Sequence, residues 1–373
     1  MRMRTKSAFA LAGVLTLALA GCVGDADDVG ANGDDAADET AENGEAAENG
    51  GNGENGDNGA ENGAADFESL GGEPLLLGLV PSGDVDQMVE DADAVGEQLS
   101  AELDGYPVDT FVADNYAGLV TAMQTGDAHI GMFGPIALVQ AVDVADAVAT
   151  LQAIRFGSSE YVTQWFTNDP DTYCMDEPVD VPFESDGEEY PMLFCNGTDS
   201  AESGPVGEEA LELIEEGTTI SYVDESSASG YYYPATQLHQ LNGYDPAGDA
   251  IDGQFAGNHD ASVMNVYNGD IAIGTSYDDA RTGQVENAAD VGEEVVVFAW
   301  SESIPNDGVA IAGDHVLTSE EREAITNAFL AFGSEDLGDG DPLYDVYEIE
   351  GLVEADLDAL DVARDVAANF GDG

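Results

Sequence analysis

Apolar and polar positions after residue 70 follow two different periods, which indicate strands alternating with helices. Residues 74–80 form a short apolar run of the kind found in buried parallel strands. Apolar residues then recur on one helical face over residues 85–103. Residues 108–112 alternate as a strand, and residues 129–133 return to an apolar strand after a second helix. The order βαβαβ predicts a parallel sheet covered by helices.

Helix boundary residues support this interpretation. Asp114 is placed to cap the second helix, and Gly126 is placed to end it. Near the end of the chain, Thr318 and Glu321 have the spacing of a capping box ahead of an apolar-striped helix.

The second half of the chain repeats the pattern, with strands at 219–223 and 271–273 and helices at 230–241 and 260–267. Ligands of open α/β sheets bind at the carboxyl ends of the strands. The loops after Val80, Val112, Phe133 and Val223 are therefore expected to meet at one cleft. Two such domains facing each other would form a clamshell.

The turn at residues 224–230 carries three serines at the start of a predicted helix. Backbone N–H groups at a helix N-terminus lack intrahelical partners and lie at the positive end of the helix dipole. Together with nearby hydroxyls, they can bind an anion without Lys or Arg. We therefore interpret this turn as an anion site, although serines at a helix start also act simply as caps.

The chain is strongly acidic, with 78 Asp and Glu against 7 Lys and Arg and a formal net charge of -71. No Lys follows Lys6. This balance indicates a surface adapted to high salt, where a Debye length of about 3 Å at 1 M suppresses self-repulsion. It argues against nucleic-acid binding, which needs a positive surface.

The N-terminus predicts export and anchoring. Basic residues precede an apolar run at 8–20 that is too short to span a bilayer, so residues 1–21 are interpreted as a signal peptide. Residues 19–22 resemble the bacterial lipobox, which would make Cys22 the lipidated residue. An ordinary secretory peptide with an incidental Cys is the alternative. Residues 22–69 are rich in Asp, Glu, Asn and Gly and are predicted to form a disordered tether.

Cys174 and Cys195 are the only thiols after Cys22. In an exported protein they are expected to form a disulfide, which would close a loop of about twenty residues and contribute about 3 kcal/mol. Half of a metal site is the competing interpretation, but the absence of a nearby His makes this a poor zinc signature. We expect no metal and no cofactor.

Eight short motifs, taken in order, resemble landmarks of one protein family. They are 78–82 (GLVPS), 114–120 (DNYAGLV), 133–135 (FGP), 157–161 (GSSEY), 224–230 (DESSASG), 257–261 (GNHDA), 277–280 (YDDA) and 304–307 (IPND). Together they resemble the phosphate, phosphite and phosphonate-binding proteins of ABC importers.

The resemblance implies a type II periplasmic-binding-protein fold, in which two α/β lobes are joined by two hinge strands. We expect the crossings near residues 161–167 and 295–301. The implied domains are residues 70–167 and 297–373 for lobe 1 and 168–296 for lobe 2, which includes the cysteine-bearing insert.

The resemblance also implies a ligand shell. The family's Ser-Thr-Ser triplet falls on Ser227, Ala228 and Ser229, so one hydroxyl is lost while its N–H group is kept. Tyr116 and Tyr161 match family tyrosines that reach the same oxyanion from the opposite lobe. Their alternative role is packing of the cleft wall.

Three further positions complete the predicted site. His259 matches the family's histidine, although a lone histidine here is also compatible with a capping role. Asp307 matches an acidic residue of importers of aminoalkyl phosphonates. The second acidic position of that group falls at Tyr277, next to Asp278, which we take as a candidate ligand.

The sequence thus predicts a lipid-anchored, extracytoplasmic, monomeric solute-binding protein that delivers a phosphorus oxyanion to an ABC permease and its ATPase. Two alternatives remain at this stage. The protein could present its ligand to a membrane sensor, or it could be a serine hydrolase that uses Ser227 or Ser229 with His259 and a nearby Asp.

Overall fold

The computed structural model describes residues 67–185, 187–200, 204–334 and 336–370. The predicted signal peptide, lipidation of Cys22 and the tether up to residue 66 lie outside these residues. All described residues belong to one compact unit. Within them, no helix is both long and apolar enough to cross a bilayer.

Strands and helices alternate along most of the chain. The strands are β1 (Leu75–Leu79), β2 (Val108–Val112), β3 (Ile130–Phe133), β4 (Val148–Ile154), β5 (Glu160–Tyr161), β6 (Thr163–Thr167), β7 (Val179–Asp180), β8 (Phe183–Ser185), β9 (Glu188–Tyr190), β10 (Leu193–Phe194), β11 (Thr219–Tyr222), β12 (Asp252–Phe255), β13 (Ile273–Tyr277), β14 (Val296–Trp300), β15 (Ile304–Pro305), β16 (Gly308–Ile311) and β17 (Gly351–Glu354). The α-helices are α1 (Val85–Glu102), α2 (Tyr116–Thr125), α3 (Pro135–Ala145), α4 (Pro170–Tyr173), α5 (Glu208–Leu211), α6 (Tyr233–Asn242), α7 (His259–Tyr267), α8 (Val291–Glu294), α9 (Ser319–Gly333), α10 (Pro342–Tyr347) and α11 (Leu357–Ala367).

Lobe 1 is built on a six-stranded sheet in the order β17-β4-β16-β3-β1-β2. β1 pairs in parallel with β2 and β3, as the βαβαβ pattern predicts, whereas β16 is antiparallel to β3 and β4. Every residue of β3 is buried, because helices cover both faces of the sheet.

Lobe 2 is built on a seven-stranded sheet in the order β12-β11-β13-β6-β14-β10-β7. The cysteine-bearing insert supplies β7 and β10 at one edge, where β10 pairs with β14. The predicted disulfide is confirmed: Cys174 and Cys195 are bonded, with their Cα atoms 5.6 Å apart.

Two short strands carry the chain between the lobes. β5 and β15 form an antiparallel pair of their own, with Ile304 opposite Tyr161 and Pro305 opposite Glu160. The segments predicted as crossings, 161–167 and 295–301, lie directly beside this pair. They contain β6 and β14, which are interior strands of the lobe 2 sheet. All side chains of both strands are therefore buried.

The first described residues, 67–70, include the end of the segment predicted as a tether, 22–69, and make specific contacts. The Phe67 ring is buried against Tyr106, with ring centroids 4.5 Å apart. Ser69 binds the Glu321 carboxylate through both its N–H and its hydroxyl, at 3.1 and 2.6 Å. These contacts tie residues 67–70 to lobe 1.

The last described residues of the chain contact both lobes. In lobe 1, Arg364 on α11 pairs with Asp143 of α3. Beyond α11, the Phe370 ring packs on Tyr232 and Tyr231, with centroids 4.2 and 5.2 Å away. The last described residue of the chain thus contacts the helix that follows the serine turn.

Several element boundaries differ from the sequence expectation for local reasons. Asn115, not Asp114, caps α2, because its side chain accepts from the Gly118 N–H. β13 occupies 273–277 instead of 271–273. The predicted capping box of α9 is confirmed.

Candidate ligand-binding site

A cavity of about 370 Å³ lies between the lobes. The structure brings all eight predicted ligand-binding residues to its wall, although they come from six separate parts of the chain. They are Tyr116, Tyr161, Ser227, Ala228, Ser229, His259, Asp278 and Asp307. Lobe 1 contributes the start of α2 and the crossing strands, and lobe 2 contributes the serine turn, α7 and the end of β13.

The serine turn opens a helix whose first turn is a π-helical segment, Ala228–Tyr232, that continues into α6. Ser227 is the N-cap, and its Oγ accepts from the Gly230 N–H at 3.1 Å. A Cβ on Gly230 would lie 2.3 Å from Val223 and 2.7 Å from the Ser227 Oγ. Glycine is therefore required for the close packing of this turn, whose residues Ser227, Ala228 and Ser229 line the cavity.

Two tyrosines, the buried Tyr116 and the partly buried Tyr161, line the cavity together with the serine turn. Burial raises the pKa of both phenols, and the Asp307 carboxylate raises them further, so both stay neutral. The Tyr161 hydroxyl forms a hydrogen bond with Ser229, which moderates the effect of burial on its pKa. Neutral phenols can donate hydrogen bonds to an oxyanion.

The lobes contact each other beside the cavity. The His259 N–H donates to the Ser82 carbonyl at 3.1 Å, and the Asn258 side chain donates to the Gly83 carbonyl at 3.3 Å. The Tyr116 N–H at the start of α2 binds the carboxylate of Asp224 in lobe 2. The site is therefore assembled from both lobes.

His259 is the first residue of α7, and Asn258 caps that helix. Its Nδ1 lies 2.7 Å from the Ser276 Oγ, and its ring meets the Tyr277 ring edge-on at 4.8 Å. Burial, with a smaller contribution from the positive charge of Arg155, lowers the pKa of His259 to about 3. The imidazole is therefore neutral at ordinary pH. Its bond to Ser276, not to Ser227 or Ser229, differs from the triad that a serine hydrolase requires.

The two predicted acidic residues are both engaged by other side chains. Asp278 accepts from the Gln164 amide at 3.1 Å. Asp307 lies 2.7 Å from a terminal nitrogen of Arg155, and both side chains are largely buried. The Asp307 carboxylate at the cavity wall is therefore already paired with a cation.

Arg155 is the main site residue that sequence reasoning missed. The serine turn was interpreted as a site without nearby Lys or Arg, but Arg155 lines the cavity. Its partner Asp307 is 152 positions away along the chain. The only available signal was its position just before the 157–161 motif.

Other lining residues were also missed as candidate ligands. Tyr277, Tyr347, Phe156 and Asn306 all face the cavity. Asn306 is buried, and its Oδ1 has no hydrogen-bond partner within the described ranges. It can accept a hydrogen bond from a ligand. Among all the residues that the structure describes, no group of three His, Cys, Asp or Glu side chains is arranged to hold a metal ion.

Two α/β lobes, a pair of crossing strands and an interlobe cavity define a type II periplasmic binding protein. The chain belongs to the family of periplasmic substrate-binding proteins of phosphonate ABC transporters, which it matches over residues 77–360. Members of this family bind a substrate for transport and are not enzymes, which excludes the hydrolase interpretation.

Solved structures share this fold at low sequence identity. PhnD1 of Prochlorococcus marinus in complex with methylphosphonate is 16% identical, with a TM-score of 0.61 over 79% of this chain and 97% of its own. A binding-protein component of an ABC phosphonate transporter from Pseudomonas aeruginosa is 18% identical, with a TM-score of 0.59 over 79% and 86%. No curated protein sequence matches the chain.

Proposed function

We propose that this protein is a lipid-anchored, extracytoplasmic and monomeric binding protein that captures a phosphorus oxyanion and delivers it to an ABC permease. One observation carries the proposal: the serine turn, two neutral phenols and a neutral imidazole converge on one buried cavity. Such preorganised neutral donors bind an anion through short, charge-assisted hydrogen bonds.

The arrangement of these donors supports an oxyanion with several oxygens. Ser227, Ala228 and Ser229 approach from the helix N-terminus in lobe 2, whereas Tyr116 approaches from lobe 1 and Tyr161 from the hinge strand β5. The cavity also has the size of a small-molecule site, so it has space for an organic substituent on the phosphorus. Methylphosphonate in the related Prochlorococcus structure is a ligand of this class.

Delivery requires that ligand binding favour one arrangement of the lobes. Because donors come from both lobes, an oxyanion bound to all of them stabilises the closed form. We assign residues 67–154 and 308–370 to lobe 1 and residues 163–300 to lobe 2, with β5 and β15 as the hinge strands. Lipidation at Cys22 and a tether up to residue 66 would hold this body at the outer face of the membrane.

The acidic composition supports a high-salt environment as the working condition. A formal net charge of -71 produces strong self-repulsion in dilute buffer, and molar salt screens it. Binding experiments therefore belong in molar salt.

Isothermal titration in 2–3 M salt tests the proposal, with phosphate, phosphite, methylphosphonate and 2-aminoethylphosphonate as ligands. We expect saturable binding of at least one of them and an increase in melting temperature with the same ligand. Absence of both heat and melting shift with all four ligands would refute the oxyanion proposal. Intact mass of the membrane-extracted protein tests lipidation at Cys22.

A further inference from the structure

We propose that Arg155 determines the ligand specificity of this site: it supplies positive charge to the bound oxyanion and occupies the carboxylate of Asp307. The site would then select phosphorus oxyanions without an ammonium group. This inference rests on the proposed function and concerns the ligand class within it.

A tight turn holds Arg155 in place. The Arg155 N–H donates to the Ser158 carbonyl at 2.9 Å, and the Ser158 N–H donates back at 3.0 Å. The two central residues, Phe156 and Gly157, have φ values of 52° and 69°, as a two-residue hairpin turn requires. A bulky residue in this left-handed region is uncommon and marks a constrained backbone. The guanidinium is thus attached to a rigid segment at the cavity wall.

Its contacts within the described residues leave one guanidinium donor without a protein partner. One terminal nitrogen binds the Asp307 Oδ2 at 2.7 Å. The buried Nε has no hydrogen-bond partner within the part of the chain described here. Burial disfavours the charge, but the carboxylate of Asp307 outweighs it and raises the pKa of Arg155. The guanidinium therefore remains charged, with a donor that the protein itself does not satisfy.

No other described cation can take this role. Arg281, Arg322 and Arg364 pair with Asp279, Asp314 and Asp143, respectively, and none of them lines the cavity. The lining contains seven carboxylates, among them Asp84, Asp260 and Glu348. Arg155 is the one described guanidinium in this lining, and its positive charge offsets part of the Coulomb repulsion that the carboxylates exert on an anion.

The ion pair also changes what Asp307 can bind. A carboxylate at the cavity wall is a natural partner for a ligand ammonium group. Here the guanidinium of Arg155 already neutralises it, and an ammonium placed beside Asp307 would meet the like charge of Arg155. 2-Aminoethylphosphonate carries an ammonium group and methylphosphonate does not. The ratio of the two affinities therefore tests the effect of the Arg155–Asp307 ion pair on ligand choice.

The experiment is isothermal titration of the wild-type protein and the Arg155→Gln variant with these two ligands in molar salt. We expect the wild type to bind methylphosphonate more tightly than 2-aminoethylphosphonate. In Arg155→Gln, methylphosphonate affinity should fall about tenfold or more, since a hydrogen bond to a charged group is lost. Affinity for 2-aminoethylphosphonate should fall less or rise, because Asp307 is released.

Arg322→Gln is the control, because Arg322 is as buried as Arg155 and also pairs with an aspartate, but outside the cavity. It should preserve both affinities. A wild-type preference for 2-aminoethylphosphonate, or an unchanged affinity ratio in a folded Arg155→Gln variant, would overturn the inference while leaving the proposed function intact. If Arg155→Gln does not fold, the wild-type preference alone decides. If the wild type binds no phosphorus oxyanion, the proposed function fails and this inference fails with it.

Discussion

The Tyr161 hydroxyl is hydrogen-bonded to Ser229, so a residue of the first crossing strand contacts the serine turn of lobe 2 directly. Both side chains line the cavity, and both are predicted to bind the ligand. An oxyanion placed between them would replace one hydrogen bond between neutral groups by two bonds to a charged acceptor. Such bonds are shorter and stronger than those between neutral groups.

Removing either hydroxyl should therefore weaken ligand binding. We expect Tyr161→Phe and Ser229→Ala each to cost about 1–3 kcal/mol of binding free energy, the value of a hydrogen bond to a charged group. The double variant should lose less than the sum, because the two hydroxyls share one ligand. Titration of the three variants measures this coupling. Ser226→Ala is the control and should keep the wild-type affinity, because Ser226 is buried in the same turn but does not line the cavity. Unchanged affinity in Ser229→Ala would show that Ser229 does not bind the ligand.

The conformation of the serine turn should depend on Gly230. Gly230→Ala places a methyl group within 2.3 Å of Val223, so we expect a loss of about 1–3 kcal/mol in the free energy of unfolding. Urea unfolding in constant salt measures the loss. Gly338→Ala is the matched control, since a methyl group there meets nothing within 4 Å. Equal stability of the two variants would contradict the packing described for the turn.

Acidification should destabilise the protein through His259. Burial and, to a lesser extent, Arg155 lower the pKa of this imidazole to about 3 from its ordinary value of 6.5. Between these values the unfolded chain binds a proton that the folded protein does not bind, so stability falls as the pH falls. The contribution of one such group is at most about 1.4 kcal/mol per pH unit.

Unfolding of the wild type and His259→Gln between pH 7 and pH 5 isolates this contribution. We expect a shallower dependence of the unfolding free energy on pH in the variant. Identical slopes in the two proteins would show that His259 is not held neutral by the fold.

The disulfide should support stability without affecting the ligand. Cys174 and Cys195 close a loop with a sequence separation of 21, for which the chain-entropy relation gives about 3 kcal/mol. No described residue between positions 174 and 195 lines the cavity. The Cys174→Ser, Cys195→Ser variant should therefore melt at a lower temperature and retain its ligand affinity. A large loss of affinity in the folded variant would connect the insert to the site.

The sequence predicts the elements of this fold best where local signals agree. The apolar run of β1, the amphipathic α1 and the capping box of α9 each depend on nearby residues, and the structure contains them all. The disulfide followed from cysteine count and export. Strand β13 was displaced by two residues, because short apolar segments do not determine where pairing begins.

The site was only partly predictable for a physical reason. The donors of the serine turn are neighbours in sequence, so their chemistry is visible in one motif. The ion pair of Arg155 with Asp307 depends on the two crossing segments lying side by side, which no local pattern encodes. In an acidic chain, one carboxylate near one arginine cannot be distinguished from many others until the fold is known.

The contact of Phe370 with Tyr231 and Tyr232 joins the end of the chain to a helix of the other lobe. Any rotation of one lobe against the other must change the separation of these rings. A fluorophore attached at position 370, remote from the cavity lining, would convert that movement into a change of emission. The chain end thus offers an attachment point for an optical sensor of the solute that works in brine.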